Sequence, residues 1–442
     1  MSTEINRKGN VMFPKVAIAL LSAWLFLING NLDPRVMSGM YLQGAMVLVL
    51  VGFLVLFLYD GHKLPLAMVF FPLLFLYMYL VSLFNGGGLQ SVAKVVVFAV
   101  VVWMAVYCAE KIKVEVFLKV VVLSLFFLSV LNFFVIVAIP EIGVDVGFFE
   151  GDWKGVYDQK NSLGRLASIL MISAFLLFLI SKDFGVRLYS VLFSLAAMFF
   201  SYNTGSRTAL ATSLIVVVLI VAFRFLIFVY SRPIKDKVVF TLILFVEAAL
   251  VLFFIAITVS VVDLHTSYDG VEVMGYFVSL TGRVTIWDFV LENLTGVQAI
   301  LGYGLDNFWT YERFNVIGPM QGMGDFYPHD SHNGYVDLLV QGGWLSVLVY
   351  IAMMMLVAYY FVRGGLSLQE KLCVFGVFAL FFVSNLTESY VTKSTNIVNF
   401  LFVYAVALCC LNSNRLMKSK VIDIGGWLAG RDYFLVRRRG NE

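Results

Sequence analysis

The sequence predicts an all-α integral membrane protein with about twelve transmembrane helices, and three observations carry that prediction. Of 442 residues, 61% are hydrophobic and 13% are charged, against roughly half and a quarter in an average soluble domain. Mean hydropathy is +0.91. Apolar runs long enough to cross ~30 Å of hydrocarbon recur along the chain. This composition excludes an ordinary soluble enzyme, a disordered chain and a nucleic-acid-binding module.

The runs fall at 16–30, 38–59, 64–85, 91–108, 116–139, 161–181, 188–203, 208–230, 238–262, 333–362, 372–389 and 396–412. The first and seventh are short. The stretch before residue 16 is polar and the first run lacks a small-residue cleavage site, so it reads as a signal anchor. Cys108, Cys373, Cys409 and Cys410 lie in or beside apolar runs and read as small core residues. The four histidines, His62, His265, His329 and His332, show no metal-ligand spacing with cysteine, so no metal site is expected.

Orientation follows from Lys and Arg. With the N-terminus placed in the cytosol, 21 of the 31 cations fall on the cytosolic side, including the run from Arg415 to Arg439. Nine fall on the other side: Arg35, Lys94, Lys154, Lys160, Arg165, Arg207, Arg283, Arg313 and Lys393. Lys119 sits inside a helix near the cytosolic end. Both termini are therefore expected in the cytosol. The chain divides into helices one to nine (1–262), a large outer loop (263–331), helices ten to twelve (332–412) and a basic tail (413–442).

Loops as long as 263–331 in a compact bundle are usually functional or disordered. This one holds Trp287, Phe308, Trp309, Tyr311, Phe314, Phe326 and Tyr327, which is not the composition of disorder. Val284, Trp287, Val290, Leu291 and Leu294 recur at helical spacing. They predict an amphipathic helix lying on the membrane or packed over the bundle.

Polar motifs gather on the expected outer side. Trp153 to Arg165 brings Lys160, Asn161 and Arg165 to the start of helix six. Asn161 or Ser162 there reads as a helix cap, and Lys160 and Arg165 as ligands for an anion. Arg207, in Asn203-Thr204-Gly205-Ser206-Arg207-Thr208, is either a snorkelling arginine or a phosphate ligand. Arg283 opens the amphipathic helix, where the dipole would prefer an acid. His332, in His329-Asp330-Ser331-His332-Asn333-Gly334, is either a structural histidine or a base suited to neutral pH. Glu388 and Lys393 read as a surface salt bridge that could rim the site. Glu247, Arg224 and Lys119 are charges in or near the membrane, hence functional candidates of lower weight.

These motifs together resemble the O-antigen ligase and polymerase superfamily of bacterial membrane glycosyltransferases. Gly155-Val156-Tyr157-Asp158-Gln159-Lys160-Asn161-Ser162-Leu163-Gly164 is similar to a stretch of its exopolysaccharide polymerases. Ser206-Arg207-Thr208, Gly282-Arg283 through Trp287, and His332-Asn333 followed by Gly343 match further family motifs, with Ser346 as a departure from the last. The resemblance implies a bundle of the GT-C type with a periplasmic loop over its cavity. It implies transfer of a glycan from an undecaprenyl-diphosphate carrier to a sugar hydroxyl at the periplasmic face of the bacterial inner membrane, without cofactor or obligatory metal.

By the same resemblance Arg207 and Arg283 hold the donor diphosphate, and His332 is the base or acceptor-positioning group. Lys160, Asn161, Arg165, Trp287 and Asn333 are expected to bind substrate. A chain-length regulator and a flippase are candidate partners, beside the bilayer and the glycan or lipid A-core acceptor. The Lys160-Asn161 stretch favours a polymerase of O-antigen or exopolysaccharide. The alternatives are a ligase joining polymer to lipid A-core, and a flippase or transporter of lipid-linked oligosaccharide. The clustering of charge at one face and the absence of repeats argue against transport.

Overall fold

The computed structural model describes residues 12–28, 32–37, 39–59, 64–88, 91–146, 150–230, 270–273, 276–279, 283–320 and 329–428. The first eleven residues, the run 238–262 with Glu247, Thr281-Gly282, Phe326, Tyr327 and the end of the basic tail lie outside the described residues.

Before the large loop come α1 (Met12–Leu27), α2 (Gly39–Tyr59), α3 (Leu66–Phe84), α4 (Ser91–Lys111), α5 (Val114–Ala138), α6 (Pro140–Gly143), α7 (Lys160–Ile180), α8 (Phe184–Asn203) and α9 (Arg207–Tyr230). The loop holds an antiparallel hairpin, β1 (Gly270–Val273) and β2 (Tyr276–Ser279), then α10 (Arg283–Asn293), α11 (Gly296–Leu301) and α12 (Tyr311–Met320). The chain continues with α13 (Gly334–Arg363), α14 (Leu368–Ser384) and α15 (Ile397–Leu428). Eight of the described helices are long and apolar enough to cross a membrane, and α1 and α15 contribute shorter apolar stretches. The fold is an all-α membrane bundle apart from the hairpin. Eleven of the predicted runs fall on helices, and 238–262 lies outside the described residues.

Among the eight membrane-length helices α7 is the most enclosed, with 78% of its apolar window buried, against 22% for α9 and α13. Whatever α7 carries at its ends is therefore held near the bundle axis. Aromatic stacking ties α15 to its neighbours: Phe117 on Tyr404 at 3.6 Å and Phe381 on Phe402 at 3.8 Å between ring centroids. The four cysteines are buried free thiols, as core packing predicts.

Three elements depart from the expectation. The run 372–389 is helical only to Ser384; residues 385–396 form a compact turn. Helix α15 continues to Leu428, into the segment expected as a tail. The run 333–362 is broken, because Gly343 takes φ 63 and ψ −174 inside α13. A side chain there would meet the Ile300 carbonyl oxygen at 2.1 Å, so only glycine admits the loop that packs on the break. That loop satisfies the freed backbone. Tyr303 N donates to Val340 O at 2.9 Å, Gly304 N to Gln341 O at 2.8 Å, and the Tyr77 hydroxyl to Gly342 O at 3.2 Å. Ser346, the departure from the family motif, donates to Leu338 O and Gly343 O at 2.8 Å each. Irregular backbone among membrane helices is tolerated when its polar groups are paired in this way.

The amphipathic helix predicted in the large loop is α10, with its buried face shifted. Ile286, Trp287, Phe289 and Val290 form a small core with Phe308 and with Val340 of α13. Leu291, expected on that face, is exposed. Helix α10 therefore packs over the first turns of α13.

Candidate active site

The start of α7, the turn before α9, the start of α10, the approach to α13 and the 385–396 turn converge at one end of the bundle. A web of backbone bonds locks the last two together. Gly334 N donates to Asn385 O at 2.9 Å and to Glu388 O at 3.1 Å. A Cβ at Gly334 would lie 1.9 Å from Asn385 Oδ1, so a side chain would part the two segments. Asn385 is fully buried, and its Oδ1 accepts from Tyr390 N at 2.9 Å and Val391 N at 3.1 Å, shaping the turn that presents Glu388.

His332 adopts φ 49, in the left-handed region that a side chain other than glycine seldom occupies. Its neighbours hold it there. His332 N donates to Asp330 Oδ1 at 2.9 Å. Ser331 N and Oγ donate to Asp337 Oδ1 at 3.0 and 2.6 Å. The Trp287 indole nitrogen donates to Ser331 O at 2.8 Å. Asn333 caps α13, accepting from Tyr335 N and Val336 N at 3.0 and 3.3 Å. Helix α10 and the first turn of α13 thus hold the backbone next to His332 from two sides.

Glu388 is the centre of the site. Its Oε1 lies 3.3 Å from Arg283 Nη2 and its Oε2 lies 3.9 Å from His332 Nδ1. Asp330 Oδ1 lies 3.5 Å from the same imidazole nitrogen. Asp330 in turn pairs with Lys393. Burial disfavours the imidazolium, yet the Glu388 and Asp330 carboxylates more than offset it and raise the His332 pKa. Burial likewise favours neutral Glu388, but His332 and Arg283 hold its carboxyl below the ordinary value. Glu388 and Lys393, expected to pair on the surface, therefore divide between two partners: Glu388 joins Arg283 and His332, and Lys393 joins Asp330. Arg283 at the N-terminus of α10 is matched by an acid from a distant turn.

A polar cavity adjoins this cluster. Asn161, Arg165 and Ser168 line it from α7, and Ser206, Thr208 and Thr212 from the α9 side. Ser384, Thr387, Glu388 and Tyr390 close it from α14 and the following turn. Glu388 is common to the cavity and the charged cluster. Arg207, the first residue of α9, is exposed between the two cavity residues Ser206 and Thr208. The Asp152 carboxylate packs on Gly205, where a Cβ would lie 2.5 Å from Oδ1, and Trp153 N donates to Asn203 O at 3.0 Å. The Trp153–Gly164 motif and the Ser206–Thr208 motif are thereby joined.

The predicted site residues sort by position. His332 and Arg283 meet through Glu388. Arg165 and Asn161 line the cavity, with the Arg165 guanidinium 5.7 Å from the Tyr390 ring centroid. Lys160 pairs with Asp152 at 2.6 Å, which makes it a brace between loop and turn. Trp287 is buried with its indole donor satisfied, and Asn333 is a cap, so both position His332. Lys119 pairs with Glu115, four residues before it on α5, at 2.9 Å. Sequence reasoning passed over Asp330, Asp337 and Asn385, and gave Glu388 a surface role. The sequence signal for Glu388 was an acid at the end of the apolar run 372–389, on the side where the nine outer cations gather. Among the described residues, no group of three or more His, Cys, Asp or Glu side chains is arranged to hold a metal ion.

Fold and site together define a polytopic membrane protein with a partly buried acid–base cluster at one end of its helical bundle. Residues 189–351 match the family model described as O-antigen ligase. The match takes in Arg207, Arg283, Trp287, His332 and Asn333, and supports membership of the O-antigen ligase and polymerase superfamily, with O-antigen ligase- or polymerase-type activity on lipid-linked glycan. No curated protein matches the chain.

Proposed function

We propose that the protein transfers a glycan from an undecaprenyl-diphosphate carrier to a sugar hydroxyl at the periplasmic face of the inner membrane, as an O-antigen or exopolysaccharide polymerase. The observation that carries this reading is Glu388, whose carboxylate lies between Arg283 and His332 at 3.3 and 3.9 Å. It supports a division of labour. With Nδ1 turned to the carboxylates, the imidazole is oriented to take the acceptor hydroxyl's proton at Nε2, and its raised pKa makes it a stronger base. The acceptor oxygen bonds to the anomeric carbon as the bond from that carbon to the phosphate oxygen breaks. The diphosphate leaves with the electron pair, and Arg283 and Arg207 stabilise its charge.

A carrier lipid needs an apolar surface beside the reacting atoms. A groove of about 500 Å³ lined by Tyr335, Leu338, Val347, Tyr350, Ile351 and Met354 runs along α13, and Tyr335 is two residues after Asn333 in sequence. It suits an isoprenoid chain whose diphosphate reaches the cluster. Transport is disfavoured by the way α13 is broken. In transporters the freed backbone groups of discontinuous helices bind the substrate. Here Val340 O, Gln341 O and Gly342 O are already paired with the protein's own loop and Tyr77.

A lipopolysaccharide gel of a deletion strain tests the reading. Core carrying a single repeat unit is expected. Core without any repeat, alongside accumulated carrier-linked polymer, would assign the ligase reaction instead. In reconstituted vesicles, transfer should persist in EDTA; loss restored by magnesium would overturn the arginine account of leaving-group stabilisation.

A further inference from the structure

The cavity between α7, α9 and the 384–390 turn has an unusual lining for the interior of a helical bundle in a chain that is 61% hydrophobic. Ten of its fourteen lining residues have polar side chains. Its deep end is partly self-satisfied: Ser213 donates to Ser168 Oγ at 2.9 Å, and Ser168 donates to Ala209 O at 2.7 Å. Thr212 and Ser384 differ. They are 6% and 7% exposed and line the cavity, and neither hydroxyl has a hydrogen-bond partner among the described residues. Both residues line the same space, so their hydroxyls are available to bond to whatever occupies it. The cavity has a volume of about 30 Å³, enough for about two water molecules. This is the size of one substituent of a sugar ring and smaller than the ring.

We propose that this notch is the subsite for one hydroxyl-bearing arm of the substrate glycan, a hydroxymethyl group or a vicinal diol, on a neutral sugar. The idea rests on the glycan-transfer reading and adds to it the part of the sugar that is recognised. Thr212 and Ser384 take hydrogen bonds from or give them to the inserted hydroxyls. Arg165, on one wall, offers donors alone, and Glu388, on the lip, offers acceptors alone. A diol supplies both a lone pair and a proton and matches that opposition. A uronate carboxylate has no proton to give and would face Glu388. Because Glu388 also touches Arg283 and His332, a sugar anchored in the notch has its ring held beside the base and the diphosphate ligands.

The test uses the full-length protein in lipid nanodiscs and lipid-linked oligosaccharide isolated from a strain lacking this protein. Thr212→Val replaces the hydroxyl by a methyl of similar shape, and Ser384→Ala deletes one. Each should raise KM for the lipid-linked oligosaccharide about fivefold to tenfold, the range expected for one lost hydrogen bond, while kcat changes much less. Thr212→Ser should restore KM. Binding of the same oligosaccharide, read as the rise in Tm it produces, should weaken in parallel. Wild-type KM and binding in both variants would overturn the proposal and assign the notch to bound water only. If the wild type binds the oligosaccharide and the variants bind it more weakly, yet no transfer occurs, the subsite stands and the assigned reaction fails.

Discussion

The two ends of the bundle treat charge in opposite ways. At the end where α5 begins and α7 finishes, the cations Lys119 and Arg187 meet partners close in sequence, although Glu115 also accepts from Ser181 Oγ at 2.8 Å across 66 residues. Lys119 meets Glu115 one turn away on the same helix, and Arg187 stacks 5.2 Å from the Phe178 ring and donates to its carbonyl nine residues back. At the end where α7 begins, Arg283 and Glu388 meet across 105 residues, with His332 between them in sequence. Local pairs of this kind stabilise a helix by a few tenths of a kcal/mol. A cluster assembled from three distant segments requires the whole bundle to fold, and it leaves partly buried charges facing a cavity. On the proposed function, the difference separates charge that serves the fold from charge that serves a reaction.

If that distinction is right, substitutions at the two ends should differ by orders of magnitude. The largest effect is expected for His332→Ala, Arg283→Ala and Arg207→Ala. Each should lower transfer about 10²- to 10⁴-fold, with no surface polysaccharide on a gel and normal protein on an immunoblot. Wild-type glycan with His332→Ala would end the assignment of the base. Next comes Glu388→Ala, which leaves Arg283 and His332 without their shared carboxylate. Transfer in vesicles should fall about tenfold to a hundredfold, and an unchanged rate would reduce Glu388 to packing. Trp287→Phe keeps the ring and removes the donor to Ser331 O. It should destabilise by about 1–3 kcal/mol, seen as a lower Tm, with a smaller loss of rate than Glu388→Ala. The smallest effect belongs to the other end. Lys119→Gln breaks a pair whose side chains are 33% and 29% exposed, so transfer should stay within about twofold of wild type. A null phenotype there would erase the contrast.

Most of the helices were legible because an apolar run of membrane length has few other fates. The polar side of the story was legible where chemistry is local. The Asn333 cap follows from residue type and position, although it was expected to bind substrate. The break at Gly343 was hidden because 333–362 reads as one apolar run, and its cause is a loop near Gly302 about forty residues upstream. Trp287 was expected to bind substrate through its place in the Gly282–Trp287 motif. Its burial depends on Phe308 and Val340, which no local pattern links to it. Glu388 was misplaced for the same reason. Five residues from Lys393, it suggested a surface pair, whereas the fold turns the two toward different partners.

The central claim is that Glu388 and His332 act as one acid–base unit on the acceptor hydroxyl. The base works in its neutral form, so kcat/KM should fall as pH drops through the raised His332 pKa. Glu388→Gln removes a carboxylate that raises that pKa while keeping the side chain's size. The most direct measurement is the pH profile of kcat/KM for wild type and Glu388→Gln in nanodiscs. The account predicts a lower plateau and an acidic limb shifted to lower pH; an acidic limb that stays where the wild type has it would contradict it.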